Sequence, residues 1–216
     1  MKSVIILMTL CIFSIQSFAQ LENKTLLFGG GLSFNITNYK YSGDTSNDAD
    51  ETAFSFYPEA GIFIFDNIAI GLISKIGVSN VSDNDAYNTN NKTNTFEYSL
   101  GPYFRYYTPI EPFAFYVELN YQFGKMNRTT KVAFEDVQRV SEEYESKIDL
   151  SKFTPGIGLE YFFNKSVGIN AAVKYEISNR EIKSYILNQL SYSYKQKING
   201  VVFLIGFQVH LNFNNW

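Results

Sequence analysis

Eight stretches of this chain alternate apolar residues with polar or small ones, and the connections between them are short and long in strict turn. The stretches run over residues 26–41, 53–65, 68–80, 96–107, 113–126, 150–163, 166–178 and 201–213. A period of two marks a strand with two unlike faces. In FEYSLGPYFRYY (96–107), Phe96, Tyr98, Leu100, Pro102, Phe104 and Tyr106 hold one phase, while Glu97, Ser99, Gly101, Tyr103, Arg105 and Tyr107 hold the other. Each segment is long enough to cross a bilayer at a tilt, which takes about 9–11 residues.

The connections narrow the topology further. Asp66-Asn67, residues 108–112 (TPIEP) and Asn164-Lys165 are tight turns by composition. Residues 42–52, 81–95, 127–149 and 179–200 are long and polar, although 129–134 and 182–194 keep some alternation and point to hairpins rising above a membrane. Such segregation predicts an antiparallel up-and-down barrel whose ends face different surroundings. The unit also repeats: residues 58–71 and 155–168 share Pro, Gly, Phe, Asn and Gly at equal offsets.

Glycine decides which face is wet. Of the 14 glycines, Gly29, Gly31, Gly61, Gly71, Gly77, Gly101, Gly124, Gly156, Gly158, Gly168 and Gly206 all fall on the polar phase of a strand. Glycine weakens a water-exposed strand with no packing return, whereas the crowded interior of an eight-stranded barrel needs small residues. The polar phase is therefore inside and the apolar phase outside. An outer wall of Phe, Ile, Leu, Val and Tyr suits lipid. Tyr98, Tyr106, Tyr121, Tyr161, Tyr175 and Trp216 are candidates for the interfacial aromatic girdles. Pro58, Pro102 and Pro155 on the lipid phase each forfeit a ladder hydrogen bond, so bends or bulges are expected there.

The inward phase carries Glu59, Lys75, Glu97, Arg105, Glu118, Lys152, Glu160, Lys174 and Glu176. Antiparallel registry across the short turns is expected to set Glu59 opposite Lys75, Arg105 near Glu118 and Lys152 near Glu176. Enclosed charges must be paired, so a structural network is expected; a gate in a narrow conduit is the alternative.

The amino terminus, MKSVIILMTLCIFSIQSFAQ, has one Lys, an apolar run and a small-x-small site at Ser17-Phe18-Ala19. It is expected to be a secretory signal peptide over 1–19, leaving a barrel domain over 20–216. The one cysteine, Cys11, lies within it, and Leu10 stands where a lipidation site wants a small residue. Without Lys2 the chain has 17 basic against 21 acidic residues and no basic stripe, so no nucleic-acid partner is expected.

Chemistry is thinly represented. His210 is the only histidine and falls on the inward phase near the end of the last strand. One histidine and scattered carboxylates define neither a catalytic constellation nor a metal ligand set, and no cofactor is expected. A lipid-modifying enzyme using His210 and a soluble lipocalin-like binder are the readings left beside a non-enzymatic barrel.

PEAGIFIFDNIAIGL (58–72) and the ending GFQVHLNF (206–213) resemble the small outer-membrane β-barrel family of Gram-negative bacteria, porin-like and architecturally related to the OmpA and OmpX barrels. The resemblance implies an all-β fold, an eight-stranded transmembrane barrel in the cell outer membrane. It implies outer-membrane lipids and lipopolysaccharide as surroundings, and the barrel-assembly machinery as a partner in biogenesis, reading Gly206, Val209, Leu211 and Phe213. Leu204 departs from that terminal signal, where a polar residue is usual. The expected state is a monomer that supports envelope integrity or presents surface loops.

Overall fold

In the computed structural model, residues 21–40, 48–84, 89–134, 141–186 and 189–212 are described. They form eight strands: β1 (Thr25–Lys40), β2 (Asp48–Phe65), β3 (Ile68–Asn84), β4 (Thr89–Ile110), β5 (Phe113–Phe134), β6 (Ser141–Phe162), β7 (Val167–Ile186) and β8 (Gln189–Asn212). Each pairs antiparallel with the next, and β1 pairs with β8 to close the barrel. The expected signal peptide, Phe213 and Trp216 lie outside the described residues.

The apolar phase faces out as the alternation predicts. Phe54, Phe56, Leu100, Phe104, Phe115, Val117 and Leu119 are exposed, while Ser99, Arg105, Glu118 and Asn120, each next in sequence to one of them, are buried. Tyr98, Tyr121 and Tyr175 are exposed toward the outer end of the wall and Tyr106 toward the short-turn end; Tyr161 is half-buried. Lipid is the only solvent that favours so large an apolar surface.

The strands are longer than the periodicity suggests. Residues 48–52, 81–84, 89–95, 127–134, 141–149, 179–186 and 189–200, expected within long loops, are strand. Above the bilayer both faces meet water, so apolar alternation fades while backbone pairing continues, as Thr93↔Thr130 and Lys147↔Lys183 show. The turn expected over 108–112 shrinks to residues 111–112, between β4 and β5.

The short turns have local causes. Asn67 has a φ of 66°, a left-handed conformation that asparagine tolerates. Asn164 Oδ1 accepts hydrogen bonds from the backbone N–H of Ser166 and of Val167, at 2.8 and 2.9 Å. Both are turn chemistry built into the side chain.

Each of the three prolines interrupts a ladder on one side only. Pairing skips Tyr57-Pro58 between β2 and β3, Gly101-Pro102 between β4 and β5, and Thr154-Pro155 between β6 and β7. Pairing resumes in unchanged register, so these are interruptions without an inserted residue. The other edge stays paired, Pro58 with Gly30, Pro102 with Leu72 and Pro155 with Leu119.

Candidate functional site: the lumenal network

The side chains that converge are those pointing into the lumen, and they stack in tiers along the barrel axis. In the central tier, Arg105 of β4 reaches across to Glu59 of β2, with Nη1 donating to Oε1 at 3.1 Å and Nη2 to Oε2 at 2.8 Å. Its Nε donates to Glu118 Oε2 of β5 at 3.0 Å. This fork-to-carboxylate geometry suits a planar guanidinium. Aromatic rings pack around the same group: its central carbon lies 5.0 Å from the Tyr103 ring centroid, 5.8 Å from Tyr107 and 4.5 Å from Tyr116. Lys174 of β7 pairs with the other oxygen of Glu118, which also accepts from Asn120 Nδ2 at 2.7 Å. Tyr107 accepts from Arg105 and donates to Gln208 Oε1 at 3.0 Å, and Gln208 Nε2 donates back to Glu59 at 2.6 Å.

The tier nearer the outer end is a four-charge ring. Lys75 lies 3.1 Å from Glu97 and 4.0 Å from Glu176; Lys152 pairs with Glu97 and lies 3.2 Å from Glu176. Toward the short-turn end, His210 Nε2 sits 2.8 Å from Glu160 Oε1, both side chains fully buried. The rings of Phe63, Tyr107 and Phe162 enclose the imidazole.

All nine charged residues expected in the lumen are brought together, with one pairing changed. Arg105 faces Glu118 and Lys152 meets Glu176 as expected. Glu59 is not opposite Lys75: it faces Ile73 and pairs with Arg105, while Lys75 turns to Glu97. The two-residue turn, with Phe65 paired to Ile68, already sets Glu59 opposite Ser74, and a register shift between Phe63 and Phe65, where Ile64 is left out of the β2–β3 ladder, moves it one further to Ile73. The fifth carboxylate, Glu160, finds its partner in His210. The inward phase of β8 puts His210 in the lumen, but no periodic signal marks Glu160 as its partner.

The lumen also holds apolar residues that charge counting passes over. Phe63, Ile73, Tyr103, Tyr107, Tyr116 and Leu204 are buried there. Glycines accommodate two of these rings. A Cβ on Gly158 would collide with the ring of Tyr116, and one on Gly61 with the hydroxyl of Tyr103. Large thus interlocks with absent between nearby strands: Tyr116 of β5 sits over its ladder partner Gly158 of β6, and Tyr103 of β4 over Gly61 of β2.

Little space is left. A cavity between Tyr57, Asn120, Gln122, Lys174 and Glu176 measures about 10 Å³, near the lower limit for one water. The short-turn mouth is crossed by the segment before β1: Lys24 N–H donates to the Phe63 carbonyl and Asn67 N–H to the Leu21 carbonyl, each at 2.8 Å. Leu21 is buried beneath it. Outside the bilayer, Lys183 lies 3.2 Å from Asp149 and 3.4 Å from Glu181; hydrogen bonds to these carboxylates, Asp149 first, hold its pKa above the usual lysine value. Among the described residues no three His, Cys, Asp or Glu side chains group as a metal site.

The family model of the outer membrane protein beta-barrel domain matches residues 5–210. The chain belongs to this family. An outer membrane protein beta-barrel domain whose strands close in sequence order is placed by that membership in the outer membrane. Among solved structures it resembles the outer membrane protein OprG from Pseudomonas aeruginosa, at 14% identity over 89% of this chain and 99% of that one, with a TM-score of 0.54. Neisserial surface protein A aligns at 13% identity over 86% of this chain and 96% of that one, with a TM-score of 0.43. No curated protein matches the chain. The OprG likeness is one of fold.

Proposed function

We propose that this protein is a non-enzymatic outer-membrane barrel with a closed lumen, which supports envelope integrity and presents its long hairpins for contact at the cell surface. The observation that carries this reading is the stack of fully buried side chains across the lumen: Arg105, Tyr107, Phe63, Lys152, Gln208 and His210. Water has no continuous path through tiers whose outer and central charges answer one another. Two cations and two carboxylates meet in the outer ring, and two and two in the central tier; nearer the short turns His210 Nε2 meets Glu160 Oε1, leaving His210 Nδ1 and Glu160 Oε2 buried without a partner.

Outer-membrane lipids and lipopolysaccharide surround the apolar wall in this reading. The assembly machinery recognises the closing strand through Gly206, Val209, Leu211 and Phe213. A narrow ion pore is the second reading, favoured by the partial wetting of Lys75 and Glu176 in the outer ring. The lipid-modifying alternative draws less support, because His210 packs against three rings and a carboxylate and presents no surface to a substrate.

Complementation in the host tests the proposal. Loss of the chain is expected to raise sensitivity to detergents and to large antibiotics. His210→Gln, which keeps a donor toward Glu160, is expected to restore resistance fully. Lipid A or phospholipid turnover that depends on the chain and disappears with His210→Gln would overturn the non-enzymatic reading.

A further inference from the structure

On every strand the outward alternation ends in a last apolar residue, and the outward positions just above it meet the headgroup layer of the outer leaflet. Charge is spread unevenly there. On β2–β4 the described outward positions above the wall hold one lysine, Lys92, against one acid, Asp50. On β5–β8 they hold Lys125, Lys131, Lys147, Lys183, Lys195 and Lys197 against Glu145, Asp149 and Glu181. One side of the barrel is therefore cationic at headgroup level.

Strands β6–β8 gather part of this excess around a pocket of about 570 Å³ on the outer face, lined by Asp149, Ser151, Asn179, Glu181, Lys195 and Lys197. Ladder pairing sets Asp149, Glu181 and Lys195 in one row and Ser151, Asn179 and Lys197 in the row two residues below. The two acids are engaged by Lys183, at 3.2 and 3.4 Å. Lys195 and Lys197 are exposed and have no ion pair or hydrogen bond among the described residues. Two unanswered ammonium groups, an amide and a hydroxyl around one hollow suit the oxygens of a phosphate.

The wall beneath continues the pattern of an amphiphile. Phe153 and Ile177 are the outward residues next below Ser151 and Asn179. Where the β6–β7 ladder is interrupted at Thr154-Pro155, an apolar groove of about 500 Å³ opens on the wall, flanked by Val117, Pro155, Ile157, Val173, Tyr175 and Val201. Tyr175 lies four residues below Asn179 on β7, roughly 14 Å at about 3.4 Å per residue, within the length of one lipid. A protein partner docked on the hairpins would have no use for a groove at hydrocarbon depth.

We propose that this face binds lipopolysaccharide, with a headgroup phosphate between Lys195 and Lys197 and an acyl chain in the groove at Pro155. The inference rests on the proposed lipopolysaccharide surroundings of the wall and narrows them to one site on β6–β8.

Lipid retention by the full-length protein, extracted from outer membranes in mild detergent, tests it. The wild-type protein is expected to keep lipopolysaccharide through extensive washing. Lys195→Gln with Lys197→Gln is expected to weaken binding of purified lipopolysaccharide about twentyfold, about fivefold for each lysine. Lys92→Gln, on the other side of the barrel, is expected to bind as the wild type does, and enzymatically dephosphorylated lipopolysaccharide to bind the wild type as weakly as the intact lipid binds the double variant. Val173→Trp, which fills the groove, is expected to weaken binding with both lysines in place. Heat-modifiable gel migration confirms that each variant folds. Equal binding by the double variant, or an equal loss in Lys92→Gln, would overturn the site while leaving lipopolysaccharide around the wall. Retention of phosphatidylglycerol in place of lipopolysaccharide by the wild-type protein would overturn both.

Discussion

Arg105 carries more of the interior than any other side chain. It is 1% exposed, holds two carboxylates and is packed by three tyrosine rings. Removing one partner of a buried pair leaves an uncompensated charge, at a cost of about 3–5 kcal/mol. Arg105→Met is therefore expected to lower the temperature at which the folded band converts on a gel. Adding Glu59→Gln should recover part of the loss, because Lys174 still answers Glu118. A double variant no more stable than Arg105→Met would show that the ion pairs are incidental to the packing. The Arg105–Glu118 pair was legible from the sequence because a tight turn sets the β4–β5 register; the Glu59–Arg105 pair was not. It depends on a one-residue shift at Ile64 and on a contact across the lumen between strands that are not neighbours, and neither leaves a periodic trace.

At the scale of the strands, the sequence pattern located every hairpin but misjudged where each one ends. Apolar alternation records contact with lipid, so it stops at Phe123 in β5 and at Val201 in β8, although pairing goes on to Phe134 and Gln189. The glycines carried information of another kind. Their concentration on one phase identified the inside, and the structure shows why: the strand at Gly158 makes room for the ring of Tyr116 on β5. Gly158→Ala is expected to destabilise the barrel by about 1–3 kcal/mol, as overpacking does. Tyr116→Leu in the same chain should restore most of that in urea unfolding. A Gly158→Ala variant as stable as the wild type would show that the wall yields at that point and that the interlock is loose.

The whole molecule is a wall of lipid-facing side chains around tiers of matched charge, capped by the segment from Leu21 to Lys24 at the short-turn end. Barrel closure and orientation follow from the order of short and long connections. The filled lumen follows from the need of enclosed charges for partners. The end of the β1–β8 ladder at Leu32↔Ile205 has no such signature, because both strands keep their phase straight through it. The central claim is that the interior does not conduct. Purified full-length protein in planar bilayers is the direct test: the account predicts a flat baseline, interrupted only when Arg105 or its partners are removed. Large, stable, ion-selective steps from the wild-type protein would contradict it.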